Sequence, residues 1–270
     1  MITIKTMSIL GLEVNLVEVQ TVITGGLPNF EIVGLPDTSI REAKERIRAA
    51  IFNSGMEYPS RRITMNLAPA NTKKEGTSYD LPMAIGILSN LGEIPNENLE
   101  KTIFLGELGL DGTVNPINGV LPMCIEAAKL GMQKVILPKA NEKEGAIVPN
   151  LEIIGVESLQ ETVEYIQKIR KIPRTRINVE KILENTKNIG LDMAEVKGQE
   201  DVKRALEISA AGGHNCILIG SFGSREDNVS TTNSYNITRP KHRRSTRNYK
   251  NSQYSRQSGG RNRLNNQKTI

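Results

Sequence analysis

After Ser224 the chain stops supplying the residues from which a core is made. Between Arg225 and Ile270 the aliphatic residues are Val229, Ile237, Leu264 and Ile270, and they follow neither the helical nor the strand period. A folded structure must therefore come from the first 224 residues, enough for one large domain or two small ones. The charge divides at the same place. The stretch from Arg225 onward holds 11 of the 35 Lys and Arg but only 2 of the 30 Asp and Glu; the residues before it hold 24 basic and 28 acidic side chains. The formal net charge of +5 thus arises in the tail and says little about what the folded part binds.

Up to about Gly220 the sequence alternates strand-like and helical segments, which predicts a mixed α/β fold with helices covering a sheet. The strand-like runs are "EVNLVEVQTVI", "RRITMNLAP", "TIFLGEL", "KVILP" and "LEIIGV". The clearest helix begins near "DTSIREAKERIRAAIFNSG". There Ser39 and Glu42 have capping-box spacing, Ile40, Ala43, Ile47, Ala50 and Ile51 recur on one face, and Gly55 can stop the helix. Arg41, Lys44 and Arg48 are expected on its solvated side, interleaved with Glu42 and Glu45. Further helices are expected over "TSYDLPMAIGILSNLG" and "LPMCIEAAKLGM".

No run of about eighteen apolar residues occurs, and the N-terminal "MITIKTMSILGLEVNLVEVQ" alternates like a strand. Neither a spanning helix nor a secretory leader is expected, and the expected location is cytoplasmic. Cys124 and Cys216 stand far apart in apolar settings and read as buried free thiols; no metal site is expected. His214 in "AAGGHN" reads as a turn residue, and His242 carries no catalytic case. "NVS" at Asn228 and "NIT" at Asn236 are chance matches to a glycosylation pattern.

The polar, basic passage "RKIPRTRINVEKILENTKNIGLD", containing Pro173, reads as an interdomain linker. Beyond it, "DMAEVKGQEDVKRALEISAAGGHNCILIG" reads as loop, helix, glycine turn and buried strand, with Val202, Ala205, Leu206 and Ile208 on or near one helix face. A phosphate loop is expected directly after such a strand. The pattern G-x-x-x-x-G-K-[ST] works because backbone N–H groups wrap the phosphates, the lysine reaches the β and γ phosphates, and the hydroxyl holds magnesium. Gly220, Gly223 and Ser224 fit its beginning; Arg225 then stands for the glycine, Glu226 for the lysine and Asp227 for the hydroxyl. Two carboxylates set against a triphosphate repel it, so this loop is not expected to hold nucleotide tightly.

Taken together, "EIVGLPDTSIREAKERIRAAIFNSG", "RRITMNLAPAN", "EGTSYDLPMAIGIL", "GELGLDGTVNPINGVLP" and "DMAEVKGQEDVKRALEISAAGGHN" resemble the magnesium chelatase-like AAA+ ATPases of the YifB/ComM type. The resemblance runs almost unbroken through the first 224 residues. It implies an N-terminal domain similar to the Lon proteolytic domain, with the ribosomal S5 domain 2-like fold, followed by an AAA+ module that uses ATP and Mg²⁺. It also implies self-association into hexamers and a role as a DNA motor in branch migration during natural transformation. Val196, Lys197 and Gly198 are placed near the adenine by the same resemblance, beside Gly220, Gly223 and Ser224 at the phosphates.

The Lon likeness invites a test, because that protease pairs a serine with a desolvated lysine. Ser78 in "EGTSYD" falls at the serine position, but Leu121 in "NPINGVLP" stands where the lysine would be. No protease activity is expected; Ser78 reads as a helix-start or turn residue and the domain as a noncatalytic scaffold. The glycines of "GELGLDGTVNPING" read as hairpin turns rather than a phosphate site. The expected organisation is a Lon-like domain over 1–168, a linker over 169–190, an incomplete AAA+ module over 191–224 and a disordered tail over 225–270.

The simultaneous loss of motif and fold at one residue suggests a change of reading frame. If Arg225 to Ser230 are written AGG GAA GAC AAT GTT AGC, removing the first base gives GGG AAG ACA ATG TTA, which reads GKTML. The missing glycine, lysine and threonine return together. Permitted codons continue the restored frame to the end as a capped, amphipathic sequence resembling the family, and the same shift turns TTT AGA into ATT TAG, isoleucine then stop, at Ile270. The expectation is that residues 225–270 are out of frame and that this chain lacks ATPase activity. Three alternatives are a noncatalytic interaction or DNA-binding remnant, a magnesium chelatase subunit acting on a porphyrin, and a basic tail that binds nucleic acid through counterion release.

Overall fold

The computed structural model describes residues 1–177 apart from 12, 96 and 98, together with 198, 200–212 and 214. Two units are distinguished, the first reaching Ile177 and the second beginning at Asn178. Val196, Lys197, Cys216, Gly220, Gly223, Ser224, Arg225, Glu226, Asp227 and the rest of the tail lie outside the described residues, as does the expected strand "CILI".

The first unit runs β1 (Ile2–Leu10), β2 (Glu13–Thr24), β3 (Asn29–Val33), α1 (Thr38–Asn53), β4 (Arg62–Ala68), α2 (Asp80–Leu91), β5 (Thr102–Phe104), β6 (Glu107–Leu108), β7 (Val114–Asn115), α3 (Val120–Lys129), β8 (Lys134–Pro138), α4 (Glu142–Gly145), β9 (Glu152–Val156) and α5 (Leu159–Ile166). Seven strands form one sheet in the order β3-β4-β2-β1-β5-β8-β9, and β6 pairs with β7 in a separate hairpin. The β1–β2 and β2–β4 pairings are antiparallel, and the other four in the large sheet are parallel, so the mixed α/β class expected from the sequence is the class found.

Two kinds of strand composition build this sheet, for one physical reason. In β2 the period is two: Val17, Val19 and Thr21 are buried, while Glu18 and Gln20 on the opposite face are half-exposed. Gln20 there accepts a hydrogen bond at 2.9 Å from Asn66, its register partner on β4. The strands β5, β8 and β9 are instead nearly continuous apolar runs, because both of their faces are covered. Val135 and Leu137 pack with Cys124 and Leu121 of α3, whereas Ile136 packs with Phe104 and Val156 on the other side.

Helix α1 buries the five residues expected of it, Ile40, Ala43, Ile47, Ala50 and Ile51; each isoleucine contributes about 1.5–3 kcal/mol through the area removed from water. Its start differs from expectation. Asp37 is the cap, accepting from the Ile40 N–H at 2.9 Å, and the Ser39 hydroxyl donates to the same carboxylate at 2.8 Å. The helix already includes Ser39, so that hydroxyl lies too far along to reach an unpaired amide, and the extended backbone at Asp37 aims the carboxylate at one. Gly55, at φ +75°, follows the end of the helix as expected. Arg41 and Arg48 are exposed, while Lys44 is half-buried with its ammonium 5.9 Å from the Phe30 ring centre.

Helix α2 is apolar all round because it is covered all round, by β1 and β2 on one side and α1 on the other. At Gly86 the helix meets the sheet so closely that a Cβ would stand 2.5 Å from the Thr21 Oγ1. The glycine-rich stretch before α3 makes the β6–β7 hairpin, with the Gly112 N–H donating to the Gly109 carbonyl at 3.0 Å, in line with the turn reading.

In the second unit, α6 (Glu200–Gly212) appears where a helix was expected. Leu206 is buried and Val202 half-buried, but Ala205 and Ile208 are exposed. At about 100° per residue Ile208 points roughly 140° away from the middle of the Val202–Leu206 line, so the four do not share one face. Glu200 and Asp201 in the first turn complement the helix dipole.

Candidate functional site

The Lon-like serine position lies in the segment that joins β4 to α2. Backbone hydrogen bonds fasten this segment to the approach to α1: the Lys74 N–H donates to the Leu35 carbonyl at 3.2 Å, and the Asp37 N–H donates to the Lys74 carbonyl at 3.1 Å. The second oxygen of the Asp37 carboxylate accepts from the Gly76 N–H at 3.1 Å, so one side chain caps α1 and holds the turn before Ser78. Within this turn Lys74 is fully buried, and its ammonium donates to the Pro69 carbonyl and, at 2.8 Å, to the Thr72 carbonyl. Burial pushes the Lys74 ammonium below the usual lysine range.

Ser78 is half-buried and sits in the turn that opens α2, as expected. Its carbonyl accepts from the Gly106 N–H at 3.1 Å, and the Gly106 carbonyl accepts from the Leu81 N–H at 3.0 Å. Two residues on, Asp80 is fully buried and forms a forked pair with Arg46 of α1, Nε to Oδ2 at 2.7 Å and Nη2 to Oδ1 at 3.1 Å. Asp80 also accepts from the Leu108 N–H at 3.2 Å, and Arg46 donates to the Ser39 carbonyl at 3.1 Å. Burial lifts the Asp80 carboxyl to about 6, opposed by the hydrogen bond and charge of Arg46; the Arg46 guanidinium is held above its ordinary value, chiefly by its hydrogen bond to Asp80.

Leu121, at the Lon-like lysine position, is fully buried near the start of α3. Its N–H donates to the Glu144 carboxylate at 2.8 Å. Asn141 completes the arrangement: it exchanges two hydrogen bonds of 3.0 Å with the backbone of Ile117 and donates to Glu144 at 3.3 Å. The residue before α3 is Gly119, which has no side chain to cap the helix, so the cap comes from Glu144 of α4. Burial raises the Glu144 pKa, with the Leu121 N–H as the leading opposing cause.

Among the described residues no lysine side chain is hydrogen-bonded to Ser78. An alkyl side chain occupies the position of the base, and Lys74, the one fully buried lysine among the described residues, spends its hydrogen bonds on the carbonyls of Pro69 and Thr72. What the site supplies is structure: Arg46 with Asp80 ties α1 to α2, and Glu144 with Asn141 ties α3 to α4. These four residues and Lys74 were not singled out in the sequence. Arg46 alone left a signal there, since it lies three residues after Ala43 and four before Ala50 on the margin of the buried face.

Of the residues placed near nucleotide by resemblance, only Gly198 is described, with φ +74°. Glycine adopts that left-handed conformation without strain. His214 closes the end of α6: its N–H donates to the Ser209 carbonyl at 2.9 Å, and the Ser209 hydroxyl donates to its carbonyl at 2.7 Å, as a turn residue would. Cys124 is buried, and burial pushes its thiol well above the usual range. No helix among the described residues is long and apolar enough to cross a membrane.

Comparison with known proteins places these features in a family context. The family model for subunit ChlI of Mg-chelatase matches residues 17–141, and one for magnesium chelatase, subunit ChlI, matches residues 192–245. The second match runs on beyond Ser224, across the positions where the phosphate-loop pattern breaks. The chain is 38% identical over 223 residues to the protein YifB of Escherichia coli, covering 82% of this chain and 43% of YifB. It is 36% identical over 216 residues to the competence protein ComM of Haemophilus influenzae, covering 80% and 42%. Lon protease 2 of Bacillus subtilis is 31% identical over 171 residues, covering 59% of this chain and 30% of the protease. The chain thus spans less than half the length of the YifB and ComM relatives it matches.

Proposed function

The chain belongs to the YifB/ComM family of magnesium chelatase-like proteins, and from that premise we propose that it carries the Lon-like scaffold of an ATP-driven DNA motor without a working nucleotide site. In this reading residues 1–168 are the noncatalytic Lon-like domain, 169–190 a linker and 191–224 the opening of the AAA+ module. In the same reading the intact form of the family uses ATP and Mg²⁺ and works as a hexamer on DNA in the cytoplasm. The family match over 192–245 supports the AAA+ assignment.

One observation carries the loss of activity: the loop reads "GSFGSRED", with Arg225, Glu226 and Asp227 in place of the glycine, lysine and hydroxyl. The lysine and the magnesium-binding hydroxyl supply most of the phosphate chemistry of such a loop, and carboxylates in their place oppose it. Residues 225–270 are read as the product of a one-base change of frame within the Arg225 codon.

Two measurements test this. The nucleotide sequence across the Arg225 codon is expected to give back Gly-Lys-Thr when one base is removed; codons that do not restore it overturn the frame reading. An ATP hydrolysis assay on the full chain, with and without DNA, is expected to show no turnover above the no-enzyme rate. The match continuing to residue 245 favours one competing reading, a diverged loop translated in its true frame, which the first measurement separates from ours.

A further inference from the structure

The outward face of α1 carries a pattern that the packing of the domain does not use. Arg41, Glu45, Arg48 and Phe52 follow one another at steps of four, three and four residues. At about 100° per residue they lie within roughly 60° of one another, opposite the face that buries Ile47 and Ala50. All four are exposed, Phe52 at 74%. The other two described phenylalanines, Phe30 and Phe104, are half-buried and buried.

Phe52 borders a groove of about 620 Å³ between the end of α1 and the segment 56–60, where Met56, Glu57 and Tyr58 line it and Glu45 and Arg48 flank it along the helix. Met56 and Tyr58 are half-buried, so each presents some surface to the groove. The Arg48 guanidinium stands 5.8 Å from the Tyr58 ring centre. Leu110, 59% exposed, lies at the same end of α1, where its carbonyl accepts from the Asn53 side chain at 2.7 Å. Among the described residues no ion pair engages Arg41, Glu45, Arg48 or Glu57.

The order of charges along this face is its own complement. When two copies of α1 are laid antiparallel about a two-fold axis between residues 45 and 48, Glu45 of each copy stands against Arg48 of the other. The same register sets Arg41 of each copy against Phe52 of the other. The spacing is that of the a and d positions of a coiled-coil seam, and this pairing sets each a against a d. A parallel pairing in register would set every charge against its like.

We propose that the outward face of α1 docks a second copy of this chain in an antiparallel α1–α1 contact. Two Glu45–Arg48 pairs form its centre, and Arg41 of each copy lies over Phe52 of the other, in the groove beside Glu57. The contact is isologous, and so differs from the head-to-tail contact from which a ring is built. It is made within residues 41–58 and needs no nucleotide, so its failure and the failure of the ATPase reading are separate results.

The test is sedimentation equilibrium of the full chain at low salt without nucleotide. The expected result is a monomer–dimer equilibrium with a Kd on the order of 10–100 μM, as suits a small interface. Glu45→Arg and Arg48→Glu each place like charges at both central contacts and are expected to weaken the dimer by about tenfold or more. The exchange variant E45R/R48E restores opposite charges and is expected to return the Kd to within about threefold of wild type. It leaves the Arg48–Tyr58 contact within the monomer broken, so a repaired monomer does not account for that rescue. Phe52→Ser is expected to weaken the dimer by about tenfold. A chain that stays monomeric at about 0.5 mM, assembly unmoved by either single reversal, or an exchange variant as weak as the singles would overturn the proposal.

Discussion

Arg46 of α1 and Asp80 of α2 meet in a forked ion pair whose acid is fully buried and whose base is 22% exposed. The burial lifts the Asp80 carboxyl to about 6, against about 3.9 for an unfolded aspartate. The folded chain therefore keeps a proton that the unfolded chain would release. The stability this contributes is complete below about pH 4 and is lost as pH rises through about 6, a swing on the order of 2–3 kcal/mol. Urea unfolding from pH 4 to 7 should show this fall, and Asp80→Asn should flatten it. A slope unchanged in the variant would assign it to other groups.

Glu144 caps α3 from another helix, through the Leu121 N–H at 2.8 Å. Glu144→Ala should cost about 1 kcal/mol, as the loss of a helix cap does, and should speed hydrogen exchange at the Leu121 amide. Glu144→Gln keeps an acceptor oxygen and should lose less.

Gly86 brings α2 against the sheet at Thr21. Alanine in its place would gain about 1 kcal/mol of helix propensity, yet its Cβ would lie 2.5 Å from the Thr21 Oγ1. Overpacking should win, with a net loss of about 1–3 kcal/mol by chemical denaturation. Thr21→Ala combined with Gly86→Ala should recover part of that loss, and the double-mutant cycle measures the clash directly.

The elements were legible where a local pattern carries them. The five buried residues of α1 stand at helical spacing, and β2 alternates through its middle, where Val17, Val19 and Thr21 are buried and Glu18 and Gln20 are not. The cap of α1 is ambiguous in the sequence because Asp37 and Ser39, two residues of one tripeptide, are both good caps, and backbone direction at Asp37 decides between them. The Arg46–Asp80 pair spans 34 residues and the Glu144–Leu121 bond 23, so no local pattern could have announced either. Leu121 is legible in the sequence as an alkyl residue at the Lon-like lysine position, and the fold adds that Lys74, in the segment before Ser78, is buried with its hydrogen bonds turned to backbone carbonyls.

The central claim is that "GSFGSRED" does not hold a nucleotide, whatever the intact relatives do. An equilibrium titration of the full chain with Mg·ATP tests it most directly. The account predicts no saturable binding up to about 1 mM, corresponding to less than roughly 4 kcal/mol of affinity. One-to-one binding with a Kd of about 10 μM or tighter would contradict it.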